Sequence, residues 1–214
     1  MTASSHLSTG PEETARLLRL ATYASISVAL VLILAKLVAW GLSDSVSLLA
    51  TLIDSVLDAL ASLINLVAVR HALTPADKEH RFGHGKAEAL AGLSQSMFIA
   101  GSAGFLLLEA GRRIISPIAV EAVGLGMLVM VFSIVATLLL LAIQNHVIRK
   151  TNSTAIRADA LHYRTDLLVN GSVILALWLS VQGWAGFDAL FACAIAIYIL
   201  YSAREIIITS YDHL

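Results

Sequence analysis

The sequence predicts an all-α, polytopic membrane protein with six transmembrane helices and both termini in the cytoplasm. Three observations carry that expectation. First, 58% of the 214 residues are hydrophobic and only 14% are charged, with a mean hydropathy of +0.83, far from a soluble globular composition. Second, six apolar runs each reach the roughly 20 residues that a helix needs to cross hydrocarbon. Third, the charges are crowded into short stretches between those runs. A formal net charge of -1 gives no sign of nucleic-acid binding.

The opening residues 1–15, MTASSHLSTGPEETA, are polar and contain Gly10 and Pro11. No short apolar segment with a cleavage site precedes the first full span, so a disordered cytoplasmic tail is expected rather than a signal peptide. Residues 16–214 then form one six-helix domain. Its spans are expected at Leu17–Trp40, Ser47–Val69, Ala87–Ile115, Val120–Val147, Ser153–Val181 and Phe187–Thr209. The short turns GLSDSV, SPIAVE and QGWAGF join helices one to two, three to four and five to six on one side. The other side collects Arg16, Arg19, Arg70, Lys78, Arg81, Lys86, Arg149, Lys150, Arg157, Arg164 and Arg204 of the 14 Lys and Arg. By the positive-inside rule that side is cytoplasmic. Arg112 and Arg113 oppose the rule, but a bias summed over several loops outweighs one pair. The single cysteine, Cys193, lies in an apolar run, which excludes a disulfide framework and a thiolate cluster; it reads as a small buried hydrophobe.

The second span, SLLATLIDSVLDALASLINLVAVR, carries Asp54 and Asp58 inside it. A charge at such depth costs about 2.5–3.5 kcal/mol by insertion scales, so acids there face a water-filled cavity or a bound cation. At i and i+4 both point to one helix face. Two neighbouring anions repel unless something positive sits between them, either protons or metal. The fifth span answers with ALHYRTDLLVNG, where His162 and Asp166 repeat the i, i+4 spacing behind the helix-capping pair Asn152 and Ser153. Counted from the cytoplasmic ends, Asp166 lies about 20 Å from Ser153 and Asp58 about 18 Å from Arg70, so the two pairs can meet at one level. Lys36 and Glu109 are the other deep charges and either snorkel or join ion pairs between helices.

Three carboxylates and one imidazole suit a tetrahedral divalent ion. An all-carboxylate set would favour harder ions such as Mn²⁺; the imidazole pulls toward Zn²⁺, Cd²⁺ or Fe²⁺. The loop LTPADKEHRFGHGKAEAL between helices two and three holds a further cluster, Asp77, His80 and His84. It reads either as a solvated charged loop or as a small second metal site, and Pro75, Gly83 and Gly85 tilt it toward the ordered alternative. Lys86, at the mouth of helix three, is placed for an ion pair.

The stretches SVSLLATLIDSVLDALASL, PADKEHRFGHGKAEALAGLSQSMFI, RADALHYRTDLLVNG and DALFACAIAIYILYSA together resemble the cation diffusion facilitators, over almost the whole chain beyond the tail. The resemblance implies a homodimeric secondary active transporter, not an enzyme, in the bacterial inner (cytoplasmic) membrane. It would export Zn²⁺ or a related divalent metal against protons by alternating access. By the family's pattern Asp54, Asp58, His162 and Asp166 form the transport site. Asp77, His80 and His84 hold an ion at the membrane–cytoplasm boundary, and Lys86 helps lock two protomers through a salt bridge. The family's members continue past helix six into a small cytoplasmic metal-binding domain, whereas this sequence stops at SYDHL, so a transmembrane-only form is expected.

The residues support a mechanism of their own: metal needs deprotonated carboxylates and a neutral imidazole, so binding releases protons and protonation expels metal. His162, Asp54 and Asp166 are the candidates for that exchange. Two other classes compete. An intramembrane metallohydrolase would want three protein ligands, an open water position and a general base, and no H-E-x-x-H occurs. A non-transporting metal scaffold or sensor is separated from a transporter by flux.

Overall fold

The computed structural model describes residues 10–43, 46–75, 83–115, 124–181 and 187–214, and all the secondary structure among them is helical. The helices are α1 (Pro11–Ser43), α2 (Val46–Ala72), α3 (Lys86–Ile115), α4 (Gly124–Thr151), α5 (Thr154–Val181) and α6 (Phe187–Asp212). Five of them are apolar and long enough to cross a membrane; α5 falls outside that set. At 28 residues it is about 42 Å long, and its polarity comes from Arg157, Asp159, His162, Arg164 and Asp166 in its first half.

Most helices outrun the apolar windows, because hydropathy marks hydrocarbon thickness and not hydrogen-bonded length. α1 begins at Pro11, so residues 11–15, expected in the tail, are its first turn and more. Proline at the first helical position loses no intrahelical bond, and Glu12 and Glu13 complement the positive end of the helix dipole. The expected start of helix four at Val120 lies outside the described residues. Between α4 and α5 the two residues in question divide their labour. Asn152 takes the left-handed conformation (φ 52°) that ends α4, and the Ser153 hydroxyl accepts from the Ile156 amide at 3.2 Å to cap α5.

The outside of the bundle is apolar: Leu34, Val38, Phe105 and Leu139 are each more than 60% exposed. In lipid such faces need no protein partner, so packing relies on small residues that let backbones approach. On α1 the buried stripe is Leu18, Ala21, Thr22, Ser25, Ala29 and Leu32. On α6 it is Ala196, Ile199, Ala203 and Ile206, the last three packed with Ile99 and Ala103 of α3 and with Ala158 and Leu161 of α5. A Cβ on Gly92 would come within 3.0 Å of Ser210 Oγ and 3.2 Å of the Thr154 backbone, so glycine sets the approach of α3 to α5 and α6.

α5 is in contact with each of the other five helices. Its centre of gravity is Asp159, fully buried and reached by three donors. Ser25 Oγ on α1 donates to Oδ2 at 2.5 Å. Gln144 Nε2 on α4 donates to the same oxygen at 2.7 Å and to Ser25 Oγ at 2.9 Å. Gln95 Nε2 on α3 donates to Oδ1 at 3.1 Å. The next residue but three, Tyr163, donates to the Ser25 carbonyl at 3.3 Å and pairs with Ser62 of α2 at 3.1 Å. Five helices thus meet in one hydrogen-bonded cluster. Removing the acceptor leaves the buried Ser25 hydroxyl and Gln95 amide without an acceptor, while Gln144 keeps its bond to Ser25 Oγ. Asp159→Ala should therefore lower the thermal unfolding midpoint in detergent by about 5–10 °C, with a smaller loss for Tyr163→Phe; fluorescence-detected size-exclusion after heating measures both.

Candidate metal centre

Two helices supply the site. α2 presents Asp54 and Asp58 one turn apart, and α5 presents His162 and Asp166 one turn apart. The structure brings three of these four together. His162 Nε2 lies 2.8 Å from Asp58 Oδ1 across the α2–α5 contact and 3.9 Å from Asp166 Oδ2 along its own helix. One ligand atom from each of the three falls within 4.8 Å of the others. His162 is buried, while Asp58 and Asp166 keep partial access. Asp54 is exposed and stands outside that group of three.

The three ligand atoms are near the spacing that a tetrahedral ion requires. Bonds of about 2.0–2.2 Å from zinc to nitrogen or oxygen set ligand–ligand edges of about 3.4 Å. The observed 2.8 Å and 3.9 Å fall on either side of that value, and the three atoms lie within 4.8 Å of one another, so the carboxylates would close in by roughly 1 Å to hold an ion. Asp159 precedes His162 by three residues on the same face of α5, and its hydrogen bonds to α1, α3 and α4 fix the rotation that turns His162 toward α2. Sequence reasoning missed this group. The signal available was an acid at i-3 from the histidine in RADALHYRTD and glutamines inside otherwise apolar spans.

The other expected ligands are divided. Asp77 and His80 lie outside the described residues, as does the side chain of Glu109. His84 is described: its ring meets that of His71 edge to face, with centroids 4.4 Å apart, just after Gly83 in a left-handed turn (φ 78°) that favours glycine. His71, in the last turn of α2, was not singled out from the sequence; a histidine closing a helix beside a histidine-bearing loop was the cue. Lys86 opens α3 and donates to the Leu214 carbonyl oxygen. Lys36 does not snorkel; its ammonium donates to Ser55 Oγ at 2.6 Å and to the Thr51 carbonyl at 3.1 Å, both on α2.

Comparison with known proteins adds an independent line. The cation efflux transmembrane domain family matches residues 22–214. The Cation-efflux pump FieF of Klebsiella pneumoniae subsp. pneumoniae is 52% identical over 188 residues, which is 88% of this chain and 63% of that protein. The Cation-efflux pumps FieF of Serratia proteamaculans and Pectobacterium atrosepticum are each 53% identical over 189 residues, with the same coverage. The chain thus spans 63% of the length of the curated relatives it matches. Similarity that runs from the first span through the last, at more than half the positions, assigns the chain to the cation efflux family, the cation diffusion facilitators that its paired motifs resemble.

Proposed function

We propose that the chain moves a divalent cation, Zn²⁺ in the first instance, outward across the bacterial inner membrane in exchange for protons. The observation that carries this reading is the 2.8 Å approach of His162 to Asp58 between two spans, with Asp166 beside them. The relatives' printed name, cation-efflux pump, supports the direction. The residues that take the cation are Asp58, His162 and Asp166, joined by Asp54 from the next turn of α2.

The exchange follows from the site itself. A hydrogen bond between His162 Nε2 and Asp58 Oδ1 needs one proton on the line between them, whichever atom holds it. A cation coordinated by those same atoms displaces that proton, because a ligand must be deprotonated to bind. Proton and metal therefore exclude one another at one nitrogen, and an inward proton gradient drives the metal outward if the site opens alternately to the two sides. The cytoplasmic face is the one with Arg70, Lys86, Arg149, Lys150 and Arg157.

The same reading extends to a homodimer interlocked through Lys86 and to a loop-bound Zn²⁺ held by Asp77, His80 and His84. The contact of His84 with His71 supports a histidine-bearing site at that boundary.

Asp166→Ala and Asp54→Ala in proteoliposomes should lose Zn²⁺ flux, whereas His162→Ala should keep residual flux that no longer responds to the pH gradient; a metal-sensitive dye trapped inside the vesicles reports both. Wild-type flux in Asp166→Ala would end the reading. Zn²⁺ added to purified protein in weak buffer should release protons, and if one proton leaves per ion the apparent Kd should rise about tenfold for each pH unit lowered. A pH-independent Kd would contradict the exchange.

A further inference from the structure

Arg16 and Arg19 lie in the first turns of α1, whereas Lys36 lies in its apolar stretch, and neither the fold nor the ligand set accounts for it. It sits seven residues before Ser43, about 10 Å from the end of α1, close enough for an aliphatic stem to reach toward the interface. The side chain turns the other way. Its ammonium is lodged on the turn of α2 that precedes the site, bonded to the buried Ser55 between Asp54 and Asp58 and to the Thr51 carbonyl. No carboxylate lies within ion-pair distance of it among the described residues, yet Asp58, Asp166 and Asp54 all fall within its electrostatic reach.

A lysine held by neutral oxygens beside three acids, and locked to none, is a charge shared by the cluster. We propose that Lys36 is the resident countercharge of the transport site. This rests on the transport-site reading above. Three carboxylates with one ammonium and a neutral imidazole carry a formal charge of minus two, which one divalent cation cancels. The loaded site is then neutral, the condition under which an ion crosses a low-dielectric interior at least cost. The ammonium also opposes the bound cation, holding affinity to a level from which the ion leaves when protons return. Without that charge the site would hold its cation more tightly and release it more slowly.

The test separates charge from packing. Lys36→Gln removes the charge but retains a donor for Ser55, Lys36→Met removes both, and Lys36→Arg keeps the charge. Zn²⁺ binding is measured calorimetrically on the purified chain in lipid nanodiscs, reading only the component that Asp166→Ala abolishes. Lys36→Gln and Lys36→Met should tighten binding by about tenfold or more and slow turnover in vesicles, while Lys36→Arg stays within about threefold of wild type. A Kd for Lys36→Gln within about twofold of wild type, or weaker, overturns the countercharge role while leaving the site intact. Binding unchanged in Asp166→Ala is a different result: it overturns the transport-site reading and the inference with it.

Discussion

Charged and polar groups on one stripe of α5 cannot face lipid, and the bundle is built around satisfying them inside protein. Asp159, His162 and Asp166 follow at i, i+3 and i+7, so they share a face. That face receives donors from α1, α3 and α4 toward its N-terminal end and an acid from α2 one turn further on. Each unsatisfied group in hydrocarbon would cost several kcal/mol. The central position of α5, in contact with every other helix, is the geometric answer to that cost, and its low apolarity is the same fact seen from composition.

The two ends of the stripe differ in kind. Around Asp159 three donors converge on one carboxylate, an arrangement with little freedom and full burial. Around His162 and Asp166 the oxygens and nitrogen outnumber the protons available to join them, and the acids keep partial access. One end has its carboxylate held by three donors and anchors the helix; the other has coordination capacity to spare. That contrast, within a few residues of one helix, separates a structural polar cluster from the one proposed to bind a cation.

Much of this was legible in the sequence. The six helices followed from runs of apolar residues, and the pairs Asp54 with Asp58 and His162 with Asp166 followed from a spacing that any helix converts into a shared face. What spacing conveys is only the face, not the exposure. Asp54 has the register of a ligand, yet it lies in an exposed position outside the three that meet, because its setting depends on how α2 is rotated against α5. The Asp159 cluster was illegible for another reason: Ser25, Gln95 and Gln144 are single polar residues in three separate spans, and no local period links residues 64 or 134 positions apart. Lys36 was visible as a deep charge, but whether it snorkels or turns inward is decided by Ser55 and Thr51 on the neighbouring helix.

The central claim is that side chains from α2 and α5 hold one cation between them. Zinc K-edge X-ray absorption on the purified, zinc-loaded chain, carrying Asp77→Ala, His80→Ala and His84→Ala to silence the loop, addresses it directly. The account predicts four-fold coordination with a single imidazole nitrogen and oxygens at about 2.0–2.2 Å, lost when Asp58 or Asp166 is replaced by alanine. A spectrum without imidazole, or one unchanged by either replacement, would contradict it.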